Sequence, residues 1–365
     1  MRTAFFANTS YQLFNAVNYA YHKKKTLIES DIYILKRFIN NEIIINNLEH
    51  LKLFDNVYVL NEWPLQPGGR LEQFFSKLFA RKFINKHLAN NKKINFKKKK
   101  YNEVFIVELW DFQFLLTIAC RAENNNFIDD GLGSYTGVMT EHKLGRNVKL
   151  FQKIMGFKIE IKKLYLNCPE LYKRDEFETV KLPDNNMDDP EYLNILNSIF
   201  PCRNIKKYRD FRFVYLHQPI QGLQSAFKGI NVVTVEKNIL EICDVSACLF
   251  RLHPANYVND TDLFINKNVD SDGDLWEIIC ANEIADSHIL ISCMSTAAFI
   301  PKILFNKEPY LIFTYKLYDD DALFIQPYKE LIENLKKIYK EPQKIICPAS
   351  YIDLKYALLK LSNGE

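Results

Sequence analysis

The chain has 365 residues, of which 48% are hydrophobic and 25% charged, and carries a net charge of +4. That length allows two α/β domains with sizeable cores, and the composition is ordinary for a globular protein. The small positive excess is too weak to argue for a nucleic-acid partner, and no apolar stretch approaches a membrane span.

In chain order, short β-type runs are predicted at 3–7, 31–35, 56–60, 103–109 and 126–129. Amphipathic helical patterns lie between them at about 11–22, 41–51, 71–88 and 112–122. This β-α-β-α alternation argues for a parallel sheet with helices on both faces. From about 142 to 205 the rhythm breaks: Pro169, Pro183, Pro190 and Pro201, scattered charges and the polar run 184–189 read as a connecting region. Helices are predicted there near 148–155 and 190–199. The rhythm resumes with strands at 211–216, 247–252, 288–292 and 310–314 and helices near 235–242, 275–285, 296–305 and 327–339. The expected fold class is α/β: two doubly wound, Rossmann-like domains whose parallel sheets face a central cleft. Their expected limits are 1–155 and 206–345, joined by a connector at 156–205 and followed by a terminal segment, 346–365, whose helix at 351–361 packs back on the first domain.

Three polar clusters fall where buried strands should end, the position at which open α/β sheets build their sites. Asp129-Asp130-Gly131-Leu132-Gly133 follows Phe127-Ile128, Arg251-Leu252-His253-Pro254 follows the apolar run 247–250, and Ser292-Cys293-Met294-Ser295-Thr296 follows 288–291. Adjacent carboxylates on an extended segment point to opposite faces, so one of Asp129 and Asp130 can aim at a substrate, although Asp-Gly is also a common turn. Arg251 and His253, two apart, share a face and suit an anion; a core histidine is the plain alternative, and His217 shares that ambiguity. Ser295-Thr296 reads as the cap of a helix whose free N–H groups can meet an anion. Glu277 lies near the first turn of the helix at 275–285, where it can accept hydrogen bonds from sugar hydroxyls or simply complement the helix dipole. Asn8, Thr9, Ser10 and Gln12 form a polar turn between the first strand and first helix, suited to a ligand or to capping alone.

The eight cysteines include no close C-x-x-C pair and several sit in apolar runs, so they read as buried thiols in a reducing, cytoplasmic compartment. The amino-terminal apolar run is too short for a signal peptide. The lysine-rich run 92–100, interleaved with Ile94 and Phe96, suits either a membrane surface or acidic glycan, or a solvated loop. Phosphate-loop, dinucleotide-fingerprint and H-E-x-x-H motifs are absent.

Asp-Asp-Gly, then His-Pro, then a Ser/Thr pair before a helix, in this order across nearly the whole chain, resembles the bacterial sialyltransferases of glycosyltransferase family 52, the capsule polysaccharide and lipooligosaccharide group. The resemblance implies a GT-B fold, an inverting, metal-independent reaction without cofactor, and CMP-sialic acid as donor. It implies that Asp130 is the general base on the acceptor hydroxyl and that His253 meets the phosphate and assists departure of CMP. Ser295 and Thr296 would hold that phosphate, Glu277 the ribose and Asn8 to Gln12 the donor sugar, with Asp129, Gly131, Arg251 and Pro254 among the substrate-binding residues. Some members place a carboxylate at the first strand exit of the second domain; His217-Gln218-Pro219 stands there, which favours Asp130. The implied partners are a nucleotide-sugar donor and a glycan acceptor, without nucleic acid. Peripheral association with the inner face of the cytoplasmic membrane and a homodimer stay open. A UDP-sugar hexosyltransferase and a non-catalytic glycan- or membrane-binding protein are the alternatives.

Overall fold

A computed structural model of the chain describes residues 2–24, 29–36, 41–61, 77–89, 93–109, 111–136, 159–202, 205–218, 230–244, 247–253, 263–270, 272–318 and 325–363. The chain divides into two compact units, Met1–Pro201 and Cys202–Glu365. The expected helix at 148–155, the start of that at 71–88, and Lys92, Pro219 and Pro254 lie outside the described residues.

The first unit runs β1 (Arg2–Ala7), α1 (Ser10–Lys23), β2 (Glu29–Leu35), α2 (Asn41–Leu51), β3 (Asn56–Leu60), α3 (Ala80–His87), β4 (Glu103–Ile106), α4 (Asp111–Cys120), β5 (Asn124–Ile128), α5 (Leu132–Thr136), β6 (Ile161–Leu166), β7 (Glu178–Lys181) and α6 (Pro190–Ile199). Its seven strands form one parallel sheet in the order β3-β2-β1-β4-β5-β6-β7. Central strands are buried on both faces and so read as near-continuous apolar runs, as in β1, where the last five residues are buried. Strand order reverses between β1 and β4, which makes the carboxyl ends of the central strands the expected place for a ligand. An aromatic cluster fixes α1 there. Phe5 stacks on Phe105 at 5.0 Å, Tyr19 of α1 lies 4.8 Å from Phe105, and Tyr165 of β6 meets Phe105 edge-on at 5.0 Å. Each such buried side chain contributes roughly 1.5–3 kcal/mol.

The second unit runs β8 (Phe213–Leu216), α7 (Val232–Asp244), β9 (Leu249–Arg251), β10 (Asn268–Asp270), α8 (Trp276–Asn282), β11 (Ile289–Ser292), α9 (Ile300–Phe305), β12 (Tyr310–Phe313), α10 (Gln326–Ile338), β13 (Ile345–Ile346) and α11 (Tyr351–Ser362). Its parallel sheet has the order β10-β9-β8-β11-β12-β13, reversing between β8 and β11.

One expectation about organisation changes. The stretch expected to connect the domains supplies β6, β7 and α6 to the first unit, which ends at Pro201. These strands sit at the edge of the sheet, where Lys162 and most of β7 face solvent, so charged residues interrupt their apolar pattern. The final helix, α11, contacts α7 of its own unit, and its buried residues are Leu354, Ala357, Leu358 and Leu361.

Candidate functional site

In the first unit the loop after β1 and the loop after β5 meet. Thr9 caps α1, its hydroxyl accepting the Gln12 N–H at 3.2 Å. The buried face of α1 carries Gln12, Asn15 and Asn18, three residues apart, where an ordinary core helix would be apolar. Asn15 Nδ2 donates to the Asp129 carbonyl at 2.9 Å, and Gln12 Nε2 donates to Asp130 Oδ1 at 2.7 Å.

The two aspartates have different surroundings. Asp129 is fully buried, and its carboxylate accepts four hydrogen bonds: Gly131 N at 2.8 Å, Tyr135 Oη at 2.5 Å, and Asn167 N and Nδ2, both at 3.1 Å. Burial pushes its pKa up and these donors oppose that. Asp129 is therefore the residue that builds the loop, and its expected part in substrate binding gives way to this internal role. Gly131, at φ +86°, takes the left-handed turn that brings its N–H onto Asp129.

Asp130 is half-buried, and its backbone N–H donates to Ser134 Oγ at 2.9 Å. Among the described residues, Gln12 alone hydrogen-bonds its carboxyl group, at Oδ1. Burial raises its pKa to about 7; Gln12 opposes the rise, while the negative charges of Asp129 and Glu108 add to it. A carboxyl poised near neutrality at a strand exit can exchange a proton with a hydroxyl. Asn8 and Ser10 are half-buried and Thr9 is exposed beside it. Asn8 Oδ1 is buried without a hydrogen-bond partner among the described residues. Gln12, expected to face a sugar, is 2% exposed and occupied at both ends, since its Oε1 accepts Asn8 N–H at 2.8 Å.

In the second unit the exits of β8, β9 and β11 and the start of α8 come together. Arg251 is buried. Its Nη1 pairs with Asp270 Oδ2 and donates to Tyr208 Oη, both at 2.8 Å, its Nη2 donates to the Asp274 carbonyl, and the guanidinium lies 5.2 Å over the Trp276 ring. The guanidinium expected to meet an anion instead ties β9, β10 and α8 together. His253 lies two residues beyond the end of β9 and is half-buried, with burial lowering its pKa. His217, at the exit of β8, is held down to about 4 by burial and by the nearby His253. Both imidazoles are therefore neutral near pH 7, and an arriving anion would draw protons onto them.

Ser292 Oγ accepts Ser295 N–H at 2.7 Å, and Ser295 Oγ accepts Ala297 N–H at 3.2 Å, capping a 3₁₀ turn (Thr296–Phe299) that runs into α9. Ser295 is buried, and Thr296 is half-buried at the head of that turn. Trp276 Nε1 donates to the Ala297 carbonyl at 2.8 Å, which draws the start of α8 to this turn. Glu277 follows Trp276 and is buried; burial lifts its pKa to about 7, against its own backbone N–H and Arg251. A carboxyl protonated about half the time can both accept and donate to sugar hydroxyls.

Sequence reasoning misses the residues that hold these loops. Asn15, Ser134, Tyr135 and Asn167 build the Asp129-Asp130 exit, and Gln218 Oε1 accepts Met294 N–H at 2.8 Å to fix the β11 exit. The three-residue spacing of polar residues on α1 is the signal that marks the first of them.

In the lysine-rich run Lys93, Lys97, Lys98 and Lys100 are exposed, while part of the segment is tied into the first unit. Ile94 and Phe96 are buried, and Lys99 Nζ lies 2.6 Å from the buried Asp31 and 2.9 Å from Glu29. All eight cysteines are free thiols, five of them buried and Cys168, Cys202 and Cys347 partly exposed. Among the described residues no helix is long and apolar enough to cross a membrane.

No protein-family model and no curated protein matches the chain. Solved structures do. An α/β-galactoside α-2,3-sialyltransferase from the luminous marine bacterium Photobacterium phosphoreum is similar at 12% identity and a TM-score of 0.54, over 97% of this chain and 99% of that one. The spinosyn forosaminyltransferase SpnP is similar at 12% identity and a TM-score of 0.50, over 100% of this chain and 91% of that one. At such identities the likeness is one of fold. The chain has the GT-B-type α/β fold, with parallel sheets of seven and six strands.

Proposed function

We propose that this chain is an inverting sialyltransferase, transferring sialic acid from CMP-sialic acid in α2,3 linkage to a terminal galactose of a bacterial surface glycan. The observation that carries the reading is Asp130, a carboxyl at a strand exit with one oxygen held by Gln12 and a pKa of about 7. A general base works best with a pKa near the operating pH. In the proposed reaction Asp130 takes the proton of the acceptor hydroxyl as its oxygen attacks the anomeric carbon of the donor. The bond from that carbon to the phosphate oxygen breaks, its electrons stay with CMP, and the configuration inverts.

His253, Ser295 and Thr296 hold the departing phosphate, and Glu277 holds the ribose. Asn8, whose amide oxygen lacks a partner among the described residues, and its neighbours Thr9 and Ser10 face the donor sugar. Arg251 contributes indirectly, by fixing β9 and α8. This set supports a singly charged phosphodiester: two neutral imidazoles and hydroxyls offer less charge compensation than a diphosphate needs.

Hexosyl transfer from a UDP-sugar is the second reading, because SpnP, with its different sugar, has the same fold. Thermal-shift titration separates the two. CMP should raise the melting temperature in step with a stabilisation of about 2.7 kcal/mol at a hundredfold excess over Kd, and UDP should not. Stabilisation by UDP alone overturns the donor assignment. Labelled CMP-sialic acid incubated with a panel of galactosides then tests transfer itself.

A further inference from the structure

We propose that Gln12 is a positioning residue, whose side-chain amide holds Asp130 Oδ1 as a permanent acceptor and leaves Oδ2 as the oxygen that takes the acceptor's proton. This deepens the reading of Asp130 as the general base and rests on it.

The amide cannot turn round without loss. Asn8 N–H can only donate, so the oxygen it meets at 2.8 Å must be Gln12 Oε1, and Nε2 must then be the atom 2.7 Å from Asp130 Oδ1. A flip would set donor against donor at Asn8 and acceptor against acceptor at Asp130. Burial of the side chain and the bond from Gln12 N to Thr9 Oγ1 at 3.2 Å hold the residue in place. Among the described residues, the other anchor of Asp130 is the bond from its backbone N–H to Ser134 Oγ. Gln12 therefore fixes the plane of the carboxyl group, and the proton of the neutral acid resides on Oδ2.

The same bond has an electrostatic consequence. It is stronger to the carboxylate than to the acid, so Gln12 favours the form that acts as base. It does so against burial and the negative charges of Asp129 on the same loop and Glu108 after β4, the groups that raise the pKa of Asp130. Without the amide, the carboxyl would hold its proton through neutral pH and the base would be missing when needed.

The test is titration of Asp130 itself, by carbon NMR of the ¹³Cγ-aspartate-labelled full chain, with D130N assigning the resonance, alongside pH–rate profiles. In Q12L the midpoint should rise by about one pH unit, the size of a lost hydrogen bond to the charged form. In Q12E, which keeps the length and polarity of the side chain, it should rise further, because two carboxyl groups then compete for one proton. The acid limb of kcat/KM should move with the midpoint, with the rate recovered at alkaline pH and the donor KM unchanged. An unshifted midpoint in both variants, or a rate loss equal at every pH, overturns the proposal. A shifted midpoint with an unmoved rate limb retains the Gln12–Asp130 coupling and removes Asp130 from the chemistry instead.

Discussion

The exit of β5 and the exit of β9 solve the same problem with opposite charge. Each presents two titratable residues close together, Asp129 and Asp130 in one unit and Arg251 and His253 in the other. In each, the first is spent on structure: Asp129 accepts four hydrogen bonds, and Arg251 pairs with Asp270 and bonds Tyr208 and the Asp274 carbonyl. The second is half-buried, with its proton affinity moved toward or below neutrality. The difference lies in what surrounds the second residue. Asp130 is gripped by the side chain of Gln12 from a neighbouring helix, whereas His253 stands beyond the end of its strand beside another imidazole.

This contrast can be broken by measuring which residues cost stability. Asp129→Ala should have the largest effect. It strands the Gly131 and Asn167 backbone N–H groups and the Tyr135 hydroxyl, and unpaired buried donors cost about 1–3 kcal/mol each, so a loss of roughly 4 kcal/mol or more is expected in urea unfolding. Arg251→Met should follow. Removing one partner of a buried pair costs roughly 3–5 kcal/mol, and this case belongs at the low end because Tyr208 remains on Asp270. Equal losses from Asp129→Ala and Asp130→Ala would erase the division into anchor and working residue.

Asp130→Asn sharpens the contrast with a smaller effect of opposite sign. The folded chain holds the Asp130 proton with a pKa of about 7, above the ordinary carboxyl value. The stability this contributes is complete below the ordinary carboxyl range and is lost as pH rises through about 7. The asparagine variant does not titrate, so it should overtake the wild type between about pH 5 and 8, by on the order of 1 kcal/mol after allowing for solvent at a half-buried group. A pH-independent difference would mean that the carboxyl is not perturbed.

Much of this arrangement is legible in the sequence, for identifiable reasons. Buried parallel strands such as β1, β3 and β11 read as apolar runs closed by turn residues. β10 and β13 are only three and two residues long, too short for any pattern, and β6 and β7 hide behind edge charges. Alternation expects Asp129 and Asp130 to differ in surroundings, and they do, although both lie beyond the end of β5 at Ile128. For Arg251 and His253 the expected shared face has no strand to set it. β9 ends at Arg251, so no pleat carries the alternation on to His253. The anchors escape for another reason: Asn15 and Asn167 lie 114 and 38 residues from Asp129 in sequence. Only the fold brings them together.

The central claim, that Asp130 accepts the acceptor's proton, is tested most directly by sialic acid transfer from labelled CMP-sialic acid to a galactoside in Asp130→Ala. Turnover should fall about 10²–10⁴-fold while CMP still raises the melting temperature as in the wild type. Turnover close to wild type in that variant would contradict the claim.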